Sequence, residues 1–202
     1  MYTLVRQSPK GPPEFTKALI VCPASLVKNW EKEVEKWIGT RLNVVTVEGG
    51  GKDAISERIQ KYRYHPMNQP IVLIISYESF RMNVESIALI QIGLIICDEG
   101  HRLKNQDNQI YQALCNLTVQ RRILISGTPI QNDLLEYFSL VHFVNQGILG
   151  TRNEFKRNYE NPILSGRDAL ATDKEREIGD QKLKELLQIV NRCIIRRTCI
   201  HF

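Results

Sequence analysis

The chain has 202 residues, 43% of them hydrophobic, enough to bury one sizeable core and too few to expect a second complete one. Its net charge of +5 is compatible with a phosphate-backbone partner without requiring one. Five cysteines without a CxxC spacing point to a reducing compartment rather than a disulfide framework. With no signal-peptide pattern, and no apolar run near the roughly 18 residues of a membrane span, a soluble protein without a membrane partner is expected.

Short β-rich runs recur at Ala18 to Cys22, Asn43 to Val47, Ile71 to Ser76, Gly93 to Cys97 and Arg122 to Ser126, with helical patterning between them. This alternation predicts an α/β fold, a parallel sheet flanked by helices. Cys22 and Cys97 lie within apolar runs and are expected as small core residues. In the first helix Ser25 is the expected N-cap. Leu26, Val27, Trp30, Val34 and Trp37 form the apolar face, and Glu31, Lys32, Glu35 and Lys36 the opposite one. Lys28 in the first turn opposes the helix dipole, whereas free amides near Ser25 favour an anion. Together they could hold a phosphate, and a solvated lysine is the open alternative.

Gly49 to Lys52 resembles a phosphate-binding loop only superficially. A P-loop needs GxxxxGK followed by Ser or Thr, and here Asp53 follows, so a strand-to-helix turn is expected. Further helices are expected over Asp53 to Tyr64, Ser79 to Ile90, Asn108 to Leu117, Asp133 to Val144, Glu154 to Tyr159 and Lys174 to Asn191. Leu134 to Val144 is apolar nearly all round and should be buried on several sides. Asn161 to Thr172, with Pro162 and Gly166, reads as a loop.

Leu94 to Asn105, LIICDEGHRLKN, is the most informative stretch. Leu94 to Cys97 suit a strand buried on both faces, so Asp98 and Glu99 would emerge at its carboxyl end, where open parallel sheets bind ligands. One carboxylate there can hold a magnesium ion on nucleotide phosphates while the other polarises the attacking water. A strand running into a polar turn explains the same letters. In SGTPIQN (Ser126 to Asn132), Gly127 and Pro129 force a tight exit from a strand. Ser126, Thr128, Gln131 and Asn132 then bring hydrogen-bonding side chains to its end, and Asn132 also suits a helix cap. No GxSxG or HExxH occurs, and the Glu99–His101 spacing does not suit a zinc site.

In order, ALIVCPASLVKNWEKEVEKW (Ala18 to Trp37), LIISYESF (Leu73 to Phe80), LIICDEGHRLKN and SGTPIQNDLLEYFSLVHFV (Ser126 to Val144) resemble motifs Ia, Ib, II and III of the Swi/Snf branch of helicase superfamily two. DEGH, VNQGILGT and NRCIIRRT are similar to the eukaryotic recombination-repair type of that branch. The resemblance implies an ATP-driven motor that tracks along double-stranded DNA without separating its strands. It also implies a nuclear location and a RecA-like recombinase as partner.

By that resemblance Asp98 would hold magnesium through water and Glu99 would activate the hydrolytic water. His101, Ser126, Thr128 and Gln131 would couple phosphate state to DNA, and Ser25, Lys28, Tyr77 and Lys104 would touch the DNA backbone. The expected domain is a partial N-terminal RecA-like lobe over residues 1–190, with 191–202 leading towards a second lobe. MYTLVRQSP (Met1 to Pro9) resembles the end of the helix after the P-loop, so the chain is expected to lack the P-loop strand, motifs IV to VI and the arginine that reaches the γ-phosphate. It should then be inactive alone and marginally stable, with a gap inside its sheet flanked by unpaired backbone. The rival reading is a non-catalytic module that binds DNA or the recombinase.

Overall fold

The computed structural model describes residues 15–127 and 133–196. The chain divides into two units, Met1–Pro129 and Ile130–Phe202.

The first unit is built on five parallel strands: β1 (Lys17–Cys22), β2 (Asn43–Val47), β3 (Ile71–Ser76), β4 (Leu94–Cys97) and β5 (Arg121–Leu124), in the order β2-β3-β1-β4-β5. Every residue of β1, β3 and β4 is buried, as continuous apolar runs require when both faces are covered. Side chains alternate between faces. Ala18, Ile20, Cys22, Val72, Ile74, Leu94 and Ile96 share one face, packed against Val27, Val34 and Ile38 of α1 (Val27–Ile38). The ladder is continuous, so the expected internal gap is not found among the described residues. The outer edges of the sheet are β2 and β5, and the residues of β5 are exposed or half-buried.

The remaining helices of this unit are α2 (Lys52–Arg63), α3 (Tyr77–Met82), α4 (Val84–Ala88) and α5 (Gln109–Cys115). Three expectations need correction. Ser25 is not a cap: Ala24–Leu26 form a 3-10 turn before α1, closed by the Leu26 amide donating to the Pro23 carbonyl at 2.9 Å. Trp37 is not on the buried face but 73% exposed, and its indole N–H donates to Glu33 at 2.7 Å. The helix expected over residues 79–90 starts at Tyr77, where Ser76 caps it by accepting from the Ser79 amide. It breaks at Asn83, whose side-chain amide donates to the Ser79 carbonyl at 2.8 Å. Gly49 and Gly50 have φ of 147° and 124°, and Gly51 precedes α2, so GGGK is the strand-to-helix turn.

The second unit is helical: α6 (Leu134–Val144), α7 (Arg152–Phe155), a π-helical turn (Lys156–Glu160), α8 (Asn161–Arg167) and α9 (Asp173–Val190). Its core joins Phe138, Val141, Leu149, Phe155, Ile163, Leu186 and Val190. Capping boxes at Thr151/Glu154 and Thr172/Glu175 start α7 and α9. The expected loop over Asn161 to Thr172 is mostly α8. Pro162 sits in its first turn, where the missing N–H costs nothing, and Gly166 lies against Gly179 of α9. Glycine serves close packing of two helices here, a role composition alone cannot distinguish from a loop.

Candidate functional site

The carboxyl ends of β1, β3, β4 and β5 converge on one loop. As β4 ends, the Asp98 amide still donates to the Val21 carbonyl at 2.9 Å, continuing the β1 ladder. On the other side the Ile125 amide donates to the Cys97 carbonyl and the Gly100 amide to the Ile125 carbonyl, both at 2.8 Å. Between these anchors the chain turns sharply at Glu99, which has φ 52° and ψ 54° and is the only non-glycine with positive φ among the described residues. For a residue with a Cβ this left-handed conformation costs about 1–2 kcal/mol, held by the bonds on either side. Gly100 follows because a Cβ there would lie 2.2 Å from Leu124 Cδ2.

The Asp98 carboxylate is fixed at both oxygens: Oδ1 accepts from the Glu99 amide at 2.9 Å and Oδ2 from the indole N–H of Trp30 at 2.8 Å. Its main-chain carbonyl accepts from the Tyr77 hydroxyl at 2.7 Å. Burial, then the neighbouring Cys97 and Asp98, push the Tyr77 hydroxyl far above its ordinary range, so it stays a donor. Burial, and secondarily the Asp98 charge, push the Cys22 thiol up to about 12, which leaves it a neutral wall of the site. The Glu99 side chain is 38% exposed, with Oε2 3.3 Å from Nδ1 of His101. Arg102 pairs with Glu78 at 2.9 Å and lies over the Tyr77 ring, joining the start of α3 to this loop.

Asp98, Glu99 and His101 therefore form one cluster, with Tyr77 behind it. Tyr77, expected where the family touches the DNA backbone, is wholly buried and its hydroxyl donates to the Asp98 carbonyl. Ser25 is exposed in the turn before α1. Lys28, 72% exposed, pairs with Glu48 at 3.3 Å, and Lys104 is exposed after the 3-10 turn Gly100–Leu103. Ser126 is exposed just beyond β5, while Thr128 and Gln131 lie outside the described residues. Trp30 and Arg102 were not legible as site residues. Trp30 fits the apolar face of α1, and the one signal was that a half-buried indole N–H needs an acceptor.

The donor set suits magnesium, which takes oxygen ligands from one or two carboxylates and keeps the remaining positions for water and phosphate. Asp98 is the carboxylate placed to hold such an ion, with Glu99 beside it. Lys52, beyond β2, is no phosphate cradle for them: β2 lies three strand positions from β4, roughly 14 Å at normal sheet spacing. Among the described residues no helix is long and apolar enough to cross a membrane.

Residues 2–200 match the SNF2-related domain family. The chain is 58% identical over 201 residues to "DNA repair and recombination protein RAD54-like" of Homo sapiens, covering 98% of this chain and 27% of that protein. It is 59% identical over 201 residues to the protein of the same name from Gallus gallus, with the same coverage. The chain thus spans about a quarter of the length of these relatives. Among solved structures it resembles the Sulfolobus solfataricus SWI2/SNF2 ATPase core in complex with dsDNA. There the TM-score is 0.68 and the identity 30%, over 92% of this chain and 34% of that one.

Proposed function

This chain belongs to the SNF2-related domain family, and we propose that it forms part of the first ATPase lobe of a motor that translocates along double-stranded DNA in homologous recombination and repair. The observation that carries the reading is the Asp98–Glu99 pair at the carboxyl end of β4, with the aspartate fixed and the glutamate free to face a ligand. Magnesium bound there supplies charge neutralisation on the nucleotide phosphates. Asp98 would hold it. Glu99 orients and deprotonates the hydrolytic water, and His101 steadies the Glu99 carboxylate from Nδ1.

His101, Ser126, Thr128 and Gln131 are the residues we propose to couple phosphate state to DNA. Ser25, Lys28 and Lys104 contact the backbone of duplex DNA in a sequence-independent, salt-sensitive way. The lobe runs to residue 190, and residues 191–202 lead towards a second lobe. No GxxxxGK[ST] occurs in the 202 residues. These residues alone should not turn over ATP. We further propose that the motor works in the nucleus with a RecA-like recombinase; the relatives' names, which speak of DNA repair and recombination, support a role in recombination.

The test is ATP hydrolysis with and without duplex DNA, by the 202-residue chain and by the protein extended through the P-loop and the second lobe. Only the extended protein should hydrolyse ATP, and Glu99→Gln should abolish that turnover while ATP still binds. Undiminished turnover in Glu99→Gln would remove Glu99 from the chemistry.

A further inference from the structure

We propose that Trp30 is a positioning residue for the metal-holding aspartate: its indole N–H fixes the rotation of the Asp98 carboxylate and so sets the affinity of the site for magnesium. The inference rests on the assignment of Asp98 given above and adds a residue to it.

Two donors reach the carboxylate, and they differ in kind. The Glu99 amide on Oδ1 is a local contact, made by the next residue in the chain. It orients one oxygen but leaves the group able to pivot about it. The Trp30 N–H on Oδ2 comes from 68 residues away, on a separate helix, and removes that freedom. Trp30 is itself held, half-buried in the core that α1 shares with Ala18, Ile20, Cys22 and Ile96. An indole nitrogen only donates. It has no lone pair to offer a metal and does not titrate in the physiological range, so its effect on Asp98 is purely orientational and electrostatic.

Each carboxylate oxygen accepts more than one bond, which leaves the outward lone pairs for the water shell of the ion. Partners of this kind, behind a ligand rather than on the metal, typically change metal affinity by roughly 10- to 100-fold when removed. An interaction through water should sit at the lower end of that range.

The experiment uses the full-length protein that carries this chain. Trp30→Phe keeps an aromatic ring in the same core position and deletes the N–H. At saturating ATP and duplex DNA, the magnesium concentration giving half-maximal hydrolysis should rise roughly 10-fold, with turnover at saturating magnesium within a few-fold of the parent. Independently of turnover, Mn2+ binding to the ATP complex is measured by electron paramagnetic resonance in a Glu99→Gln background. Mn2+ should bind more weakly by a similar factor when Trp30→Phe is added, while ATP affinity in excess chelator stays the same.

If phenylalanine disturbs the core, seen as a fall in melting temperature, 3-benzothienylalanine at position 30 keeps the indole shape without the N–H and should give the same metal shift. A lower melting temperature with unchanged metal dependence in both variants would make Trp30 a packing residue and overturn the proposal. Should Glu99→Gln itself retain turnover, the role of Glu99 in the proposed function fails. Should Glu99→Gln abolish turnover and Trp30→Phe leave the metal dependence unmoved, only the role of Trp30 fails.

Discussion

Replacing Gly166 by alanine tests the helical second unit at its closest point. A Cβ at this position would lie 2.7 Å from the Glu175 carbonyl oxygen, 3.1 Å from Gly179 Cα and 3.4 Å from Arg176 Cα. Carbon atoms in comfortable contact sit about 3.5–4.0 Å apart, so α8 and α9 must part by roughly half an ångström or more. The obstructing atoms are backbone, and no side-chain rotation relieves them. Overpacking of this kind costs about 1–3 kcal/mol, while the better helix propensity of alanine returns up to about 1 kcal/mol. The net expectation is a loss of about 1–2 kcal/mol, opposite in sign to Gly→Ala at an open helical position. Amide hydrogen exchange along α9, together with the urea midpoint, reads the effect on this unit directly. Gly179→Ala, whose Cβ would meet the Pro162 carbonyl at 3.0 Å, should show a milder form. Protection of α9 in Gly166→Ala equal to or above that of the parent would refute the seam as described.

Two further outcomes follow from exposed charges. Lys28→Ala removes a surface ion pair with Glu48, so stability should change by no more than about 0.5 kcal/mol, whereas duplex DNA affinity should fall and its salt dependence become shallower by about one phosphate contact. An identical salt slope would leave Lys28 as a surface partner of Glu48 alone. The capping boxes carry a pH dependence. Hydrogen bonds from the Thr151 amide and hydroxyl hold the Glu154 carboxyl below its usual range, and those from the Thr172 hydroxyl and amide do the same for Glu175. The folded state then binds fewer protons than the unfolded one. Their stabilisation is present above the unfolded carboxyl value and lost as pH falls through the lowered folded values. Urea midpoints from pH 7 to pH 3 should therefore fall less steeply in a Glu154→Gln, Glu175→Gln double variant. Superimposable profiles would show that these caps do not contribute.

The strands β1, β3 and β4 were legible to within a residue at each end because a strand covered on both faces must be apolar throughout, a property written in consecutive letters such as IVLIIS and LIIC. The place of Asp98 and Glu99 at a strand end followed from the same reasoning, since a carboxylate cannot continue a dry strand. The helical face of α1 was readable as far as Val34, yet the next buried position is Ile38 and not Trp37, which faces water.

What only the tertiary structure decided is which distant groups meet. Periodicity reports which side of an element is buried, because backbone geometry sets it residue by residue. It carries no information on the acceptor that an indole N–H or a phenol will find. The order β2-β3-β1-β4-β5 puts β1 beside β4 and β3 one strand further on, and only through that order do Trp30 after β1 and Tyr77 after β3 reach Asp98. The same limit hid α8: Pro162 and Gly166 look like loop residues until α9 packs so close that a Cβ on Gly166 would lie 3.1 Å from Gly179 Cα, a contact made by folding and absent from the local chain.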